Sequence, residues 1–204
     1  MQYLSKAKLK QTLHKMTILD IIMCPKEEDY LRITTMQKME NGYMYIVDNG
    51  SGDSLIIFIT PDGAYMKGFD HESKWNQFGA DEWNEDFYKQ IYKNAPSEFL
   101  ELVGNEDGRN ETTFCMWCVD DTEKWYQNET LYDDDDGGKE YLLGYIRESA
   151  KEWCEWAEDY YEQELNMDIV KKVYKGASID DEIISKLNET RNIKEVLQEI
   201  NDLK

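Results

Sequence analysis

The chain has 204 residues, a formal net charge of −20, six Trp and fourteen Tyr. A chain of this length buries roughly 70% of its unfolded surface, so it needs no disulfide or metal staple. Its aromatic content excludes a disordered acidic tail, and its acidity disfavours nucleic acid and anionic lipid as partners.

The first forty residues carry Lys6, Lys8 and Lys10, but no apolar leader segment follows them. The apolar stretch Ile18–Met23 is interrupted by Asp20 and is too short to span a bilayer. A cytoplasmic location is expected, with Cys24, Cys115, Cys118 and Cys154 as reduced thiols.

Residues 3–16 read as an amphipathic helix on Leu4, Leu9, Leu13 and Met16, and Cys24-Pro25 breaks the chain. Strands are expected over Leu31–Met39, Tyr43–Val47, Leu55–Ile59 and Ala64–Phe69. Turn signals at Asn41-Gly42, Asn49 to Asp53 and Pro61-Asp62-Gly63 join them as an antiparallel meander. Residues 71–104 lose the alternation, and Trp75, Phe78, Trp83, Phe87 and Ile91 suit short helices on one sheet face. Pro96 opens a further helix with Phe99, Leu100 and Val103 inward. Thr112–Val119 predicts a fifth strand and Lys124–Gln127 a sixth. Asp133 to Gly138 forms an exposed acidic loop.

From residue 139 the apolar period is helical. Leu142, Tyr145 and Ile146 start a helix, and Trp153, Ala157, Tyr160, Tyr161 and Leu165 continue the spacing. Ser178 with Asp181, and Asn192 with Glu195, match helix-start signals. The fold class that follows is α+β, a single domain with strand-rich residues 30–127 and helical residues 139–204. Its antiparallel sheet has about five or six strands packed with helices.

Gly68-Phe-Asp-His-Glu-Ser73 leaves the fourth strand with four polar side chains, Asp70, His71, Glu72 and Ser73. A His flanked by carboxylates can serve as a base or a metal ligand. The competing structural role is to cap the next turn. With only His14 and His71 in the chain, a zincin pair is excluded. Cys115-Met-Trp-Cys118 is a CxxC within a strand, where residues three apart face opposite sides, so it reads as packing. The Asp133–Asp136 run lacks an EF-hand ligand order. No phosphate-binding loop, dinucleotide glycine motif or nucleophile elbow is present, so no cofactor and no resident metal are expected.

Charge is unevenly spread. Residues 1–40 carry seven Lys/Arg against five Asp/Glu, whereas residues 120–164 carry sixteen Asp/Glu against four Lys/Arg. A basic protein partner fits that acidic segment, although acidity also serves plain solubility. Candidate contacts are Asp120, Asp121, Asp133, Asp134, Asp135, Asp136, Glu155 and Glu162, with Trp125 and Tyr126 as aromatic anchors.

The motifs Gly68-Phe-Asp-His-Glu-Ser73, Thr113-Phe-Cys-Met-Trp117 and Trp156-Ala-Glu-Asp-Tyr-Tyr-Glu162 together resemble a family of uncharacterised bacterial proteins over nearly the whole chain. That resemblance implies no activity. In size, acidity and absence of catalytic motifs the chain is also similar to immunity proteins of bacterial toxin systems. This second likeness implies occlusion of a basic toxin. The expectation is thus a non-catalytic protein-binding domain. A small hydrolase or metal-dependent enzyme on Asp70-His71-Glu72 and an accessory domain are the alternatives.

Overall fold

Helix α1 (Lys6–Met23) begins at Ser5, whose hydroxyl accepts from the Lys8 N–H. The structure, a computed structural model, describes residues 3–84, 86–119, 124–127 and 134–203. The helix continues past Met16, where the sequence reading stops, to Met23. Beyond Met16 its apolar residues Leu19, Ile21, Ile22 and Met23 are all buried. A helix enclosed on several sides loses its one-faced stripe, which removes the periodic signal.

A 3₁₀ segment over Lys26–Leu31 leads into the sheet. Strands β1 (Thr34–Met39), β2 (Gly42–Asp48), β3 (Ser54–Ile59), β4 (Gly63–Phe69), β5 (Phe114–Val119) and β6 (Tyr126–Gln127) lie in sequence order. Each is antiparallel to the next. The fold is therefore α+β, with a six-stranded antiparallel sheet where about five or six strands are expected from sequence.

Alternation along the strands sends side chains to two faces, and both are covered. One face, with Tyr45, Val47, Leu55, Ile57, Met66, Phe114 and Met116, packs under Leu9 and Leu13 of α1. The other, with Phe58, Tyr65, Cys115 and Trp117, packs under the segment joining β4 to β5. That segment supplies Trp75, Phe87, Ile91, Tyr92 and Phe99. A strand covered on both sides reads as a continuous apolar run, as β3 does. The four cysteines are buried thiols, and strand alternation turns Cys115 and Cys118 to opposite faces.

The joining segment contains α2 (Phe87–Ile91), α3 (Ser97–Val103) and α4 (Glu106–Asn110). The buried Lys67 of β4 holds it down, its ammonium donating to the carbonyls of Gly108 (2.5 Å) and Glu111 (2.8 Å). Burial depresses the Lys67 pKa to about 8.

The C-terminal part comprises α5 (Lys139–Leu143), α6 (Ala150–Tyr160), α7 (Met167–Tyr174), α8 (Asp181–Leu187) and α9 (Ile193–Asp202). Trp153, Ala157, Val170, Ile184, Val196 and Ile200 form a second core with Leu19, Ile22 and Met23 of α1. One helix thus belongs to two cores. The open carbonyls at its C-terminal end accept from Asn188 (2.9 Å, at Met23) and Arg191 (3.1 Å, at Ile21).

In the C-terminal part, too, helix boundaries differ from the sequence reading. The apolar period from Leu142 to Leu165 is interrupted: α5 stops at Leu143, and α6 starts at a Ser149–Glu152 capping box. Helix α6 ends at Tyr160, and Glu162 takes a left-handed conformation at φ 51°. Asp180 caps α8 in place of Ser178, its carboxylate accepting from Ile183 N–H at 2.9 Å. Asn192 caps α9 as its spacing predicts.

Asp20 lies fully buried where α1, β1 and the end of α6 meet. Its carboxylate accepts from the Thr34 N–H (2.6 Å) and the Tyr161 hydroxyl (3.2 Å). Burial outweighs those bonds and raises its pKa to about 7.

Candidate functional site

The exit of β4 is built by close approach. Gly68 has no side chain where the Phe114 ring of β5 sits, so the strands stay paired to the end. The Thr113 hydroxyl accepts from the Asp70 N–H at 3.0 Å and donates to the Gly137 carbonyl at 2.6 Å. That single hydroxyl ties the strand exit to the acidic loop. Gly138, at φ 78°, lies against the Asp70 side chain, and any Cβ there would occupy the same space.

Asp70 folds back to accept from the Glu72 N–H at 2.9 Å, closing an Asx turn. Burial, then the neighbouring carboxylates of Asp53 and Asp135, raises the Asp70 pKa. His71 leaves the turn and meets Asp53. The Asp53 Oδ1 lies 2.6 Å from His71 Nδ1 and accepts from the His71 N–H at 2.9 Å. The His71 Nε2 faces Glu72 Oε1 at 3.1 Å.

Asp53 was absent from the sequence-derived candidates, which treat Asn49 to Asp53 as a turn. Its signal was the hairpin register. Ser54 pairs with Phe69, which brings the next residues outward, Asp53 and Asp70, side by side. The Asp53 side chain is 4% exposed against 44% for His71. The Asn49 side-chain N–H donates to Asp53 Oδ2 at 2.8 Å and to the Tyr141 hydroxyl at 3.1 Å. Burial pushes the Asp53 pKa up, but its hydrogen bonds from His71 and Asn49 win and leave it lowered. The bond to Asp53 raises the His71 pKa. The result is an imidazole held between two carboxylates, the buried Asp53 on Nδ1 and the exposed Glu72 on Nε2.

The acidic loop closes over this turn. Asp135 accepts from the Ser73 hydroxyl (3.1 Å), the Lys74 N–H (2.6 Å) and the Gly137 N–H (2.8 Å). Asp134 pairs with the Lys74 ammonium at 2.6 Å, and Asp136 accepts from the Glu140 N–H at 3.0 Å. The expected solvated loop is thus a clamp: Asp135 serves backbone and hydroxyl donors.

Beside the clamp lies an aromatic row. Phe69, the last residue of β4, meets Phe78 edge-on at 6.1 Å, and Phe78 meets Trp83 edge-on at 5.5 Å. Phe78 is 59% exposed and Trp83 47%. Asn76 links the row to the turn: its side-chain N–H donates to the His71 carbonyl (2.7 Å), and its oxygen accepts from the Phe78 N–H (3.0 Å). Asp81, Glu82 and Asp86 are exposed around Trp83.

The remaining candidates lie elsewhere. Trp125 is half-buried, its indole N–H donating to the Leu4 carbonyl at 2.8 Å, so it packs against the N-terminal segment and is not presented as an anchor. Tyr126 is exposed and stacks on Trp117 at 6.4 Å. Glu155 pairs with Lys151 on α6 at 3.6 Å, and Glu162 is exposed just past that helix. Asp120, Asp121 and Asp133 lie outside the described residues. The structure therefore brings Asp70, His71, Glu72, Ser73 and Asp134–Asp136 together, and leaves Trp125, Tyr126, Glu155 and Glu162 on separate elements.

Asp53, Asp70 and His71 each offer one ligand atom, all within 4.8 Å of one another. Two carboxylates and an imidazole suit a divalent transition metal. The 2.6 Å approach of Nδ1 to Oδ1 is a hydrogen-bond distance. A bound metal would need to displace that bond. No family model, no curated protein and no solved structure matches the chain.

Proposed function

We propose that the chain is a non-catalytic binding protein that docks a basic protein partner on the surface at the exit of β4. The observation that carries this reading is the exposed Phe78–Trp83 pair on a segment that also presents Asp81, Glu82 and Asp86. Large aromatics supply interface energy, and a carboxylate rim selects a cationic surface and steers its approach. The clamped turn beneath them is held by Asp135, Thr113 and Asn76, so the surface is preorganised. With a net charge of −20, long-range steering of a basic partner is strong at low salt. The most concrete form of the reading is an intracellular immunity protein that occludes a basic toxin.

The test is capture from native-host extract, comparing wild type with Phe78→Ser/Trp83→Ser. A basic partner should be retained by wild type, be lost with the double variant, and associate more slowly as salt rises. Capture indifferent to both the variant and ionic strength would sink the reading.

A second reading, a metal-dependent enzyme, is favoured by the convergence of Asp53, Asp70 and His71. Calorimetric titration with Zn²⁺ and Mn²⁺ separates the two. Absence of saturable binding that depends on His71 removes the metal-dependent form.

A further inference from the structure

Four lysines gather on one groove of a strongly acidic protein. The groove has a volume of about 500 Å³ and runs between α1 and α7, with Lys8 and Lys15 on one side and Lys171 and Lys175 on the other. Lys8 and Lys15 are two helical turns apart, and Lys171 and Lys175 one turn apart, so each pair shares a helix face. Tyr174 contributes its ring, fixed by donation from its hydroxyl to the Arg147 carbonyl at 2.7 Å.

The lysines are not all neutralised. Lys8 pairs with Glu148, the acidic residue of the lining, at 2.9 Å, and Lys171 pairs with Asp168 at 3.0 Å. Lys15 lies 5.8 Å from the Tyr174 ring centre. Among the described residues, neither Lys15 nor Lys175 forms an ion pair.

Charge range decides what fits. At physiological salt the Debye length is about 8 Å, so a ligand seated in the groove feels the local ammonium groups far more than distant carboxylates. A long polyanion would extend over acidic surface and be repelled. We propose that this groove binds a small, soluble, multiply charged phosphate ligand, such as the di- or triphosphate group of a metabolite. The phosphates would bridge the ammonium groups of Lys15 and Lys175, with Lys8 and Lys171 at the edges. This inference stands apart from the docking surface, since it uses α1 and α7 and none of the residues at the β4 exit.

Inorganic tripolyphosphate is the probe, titrated into the full chain at low salt and followed by calorimetry and by amide shifts. One-site saturable binding is expected, with shifts centred on Lys15, Tyr174 and Lys175 and much weaker binding of sulfate. Lys15→Ala/Lys175→Ala should weaken it about tenfold or more while circular dichroism and melting stay unchanged. Lys194→Ala on α9, away from the groove, should bind as wild type. Unsaturable shifts spread over all lysines, or wild-type affinity in the double variant, would overturn the proposal. Co-sedimentation with phosphoinositide vesicles would overturn its assignment to a soluble ligand.

Discussion

His71 and Asp53, eighteen positions apart in sequence, share two hydrogen bonds: one Asp53 oxygen meets both the backbone N–H and the ring Nδ1 of His71. The pair pins the β2–β3 turn to the exit of β4, and it titrates from both sides. His71 is raised above its ordinary 6.5, so its contribution is complete below that value and is lost as pH rises through the folded-state pKa. Asp53 is lowered from 3.8, so its contribution is present above that value and is lost as pH falls through its folded-state pKa. Asp53→Asn should destabilise by roughly 1 kcal/mol, since the Asn49 side chain and the exposed His71 then meet a neutral oxygen in place of a charged one. The difference from wild type, measured by urea unfolding, should be greatest between about pH 4.5 and 6.5 and shrink above that. A difference that is constant with pH would contradict the pairing.

Asp20 gives a slope of opposite origin to that of Asp53. Its folded-state pKa is about 7 against an ordinary 3.8, so the folded protein holds a proton that the unfolded chain releases. Its contribution is complete below 3.8 and is lost as pH rises through 7. Within that window the slope is at most about 1.4 kcal/mol per pH unit. Asp20→Asn keeps an oxygen for the Thr34 N–H and should flatten the curve, leaving the variant more stable than wild type at about pH 8. Denaturant midpoints across the range provide the check.

Glu162 holds φ 51° one residue beyond the cap of α6, and the Gln163 N–H donates to the Glu158 carbonyl at 3.2 Å. A left-handed residue here suits glycine. Glu162→Gly should therefore stabilise the protein by roughly 0.5–1 kcal/mol, read as a higher urea midpoint at unchanged slope.

Gly138 supports the Asp70 turn from beneath. Gly138→Ala adds a methyl where the Asp70 side chain lies and imposes a strained φ. A cost on the order of 1–3 kcal/mol is expected. The His71 ring resonances should move with it, because the displaced Asp70 and His71 are adjacent. A shift confined to residues 134–140 would show that the loop and the turn are uncoupled.

The sheet was legible because its signals are local. The turns at Asn41-Gly42 and Pro61-Asp62-Gly63 fix the hairpins, and β-branched or aromatic runs fill the strands between them. The site was half legible. Asp70 to Ser73 stand together in sequence, but Asp53 joins them only through strand register, and Asp135 across sixty-two positions from Ser73. Phe78 and Trp83 share the aromatic pattern of the buried Trp75 and Phe87, so sequence places all four on the sheet, whereas the exposure of Phe78 and Trp83 depends on what the sheet leaves uncovered. Helix ends were the least legible. Glu162 ends α6 with no glycine to mark it, whereas Ser149 with Glu152 was a readable start signal masked by the unbroken apolar spacing around it.

Synthesis order makes the shared helix a liability. Trp153, Val170, Ile184 and Val196, which enclose Leu19, Ile22 and Met23 of α1, are synthesised more than a hundred positions after them. Between the synthesis of the two segments the nascent chain therefore holds an oily stretch whose helical cover has yet to be made. Such a segment is a natural substrate for chaperones and a seed for aggregation when they are scarce.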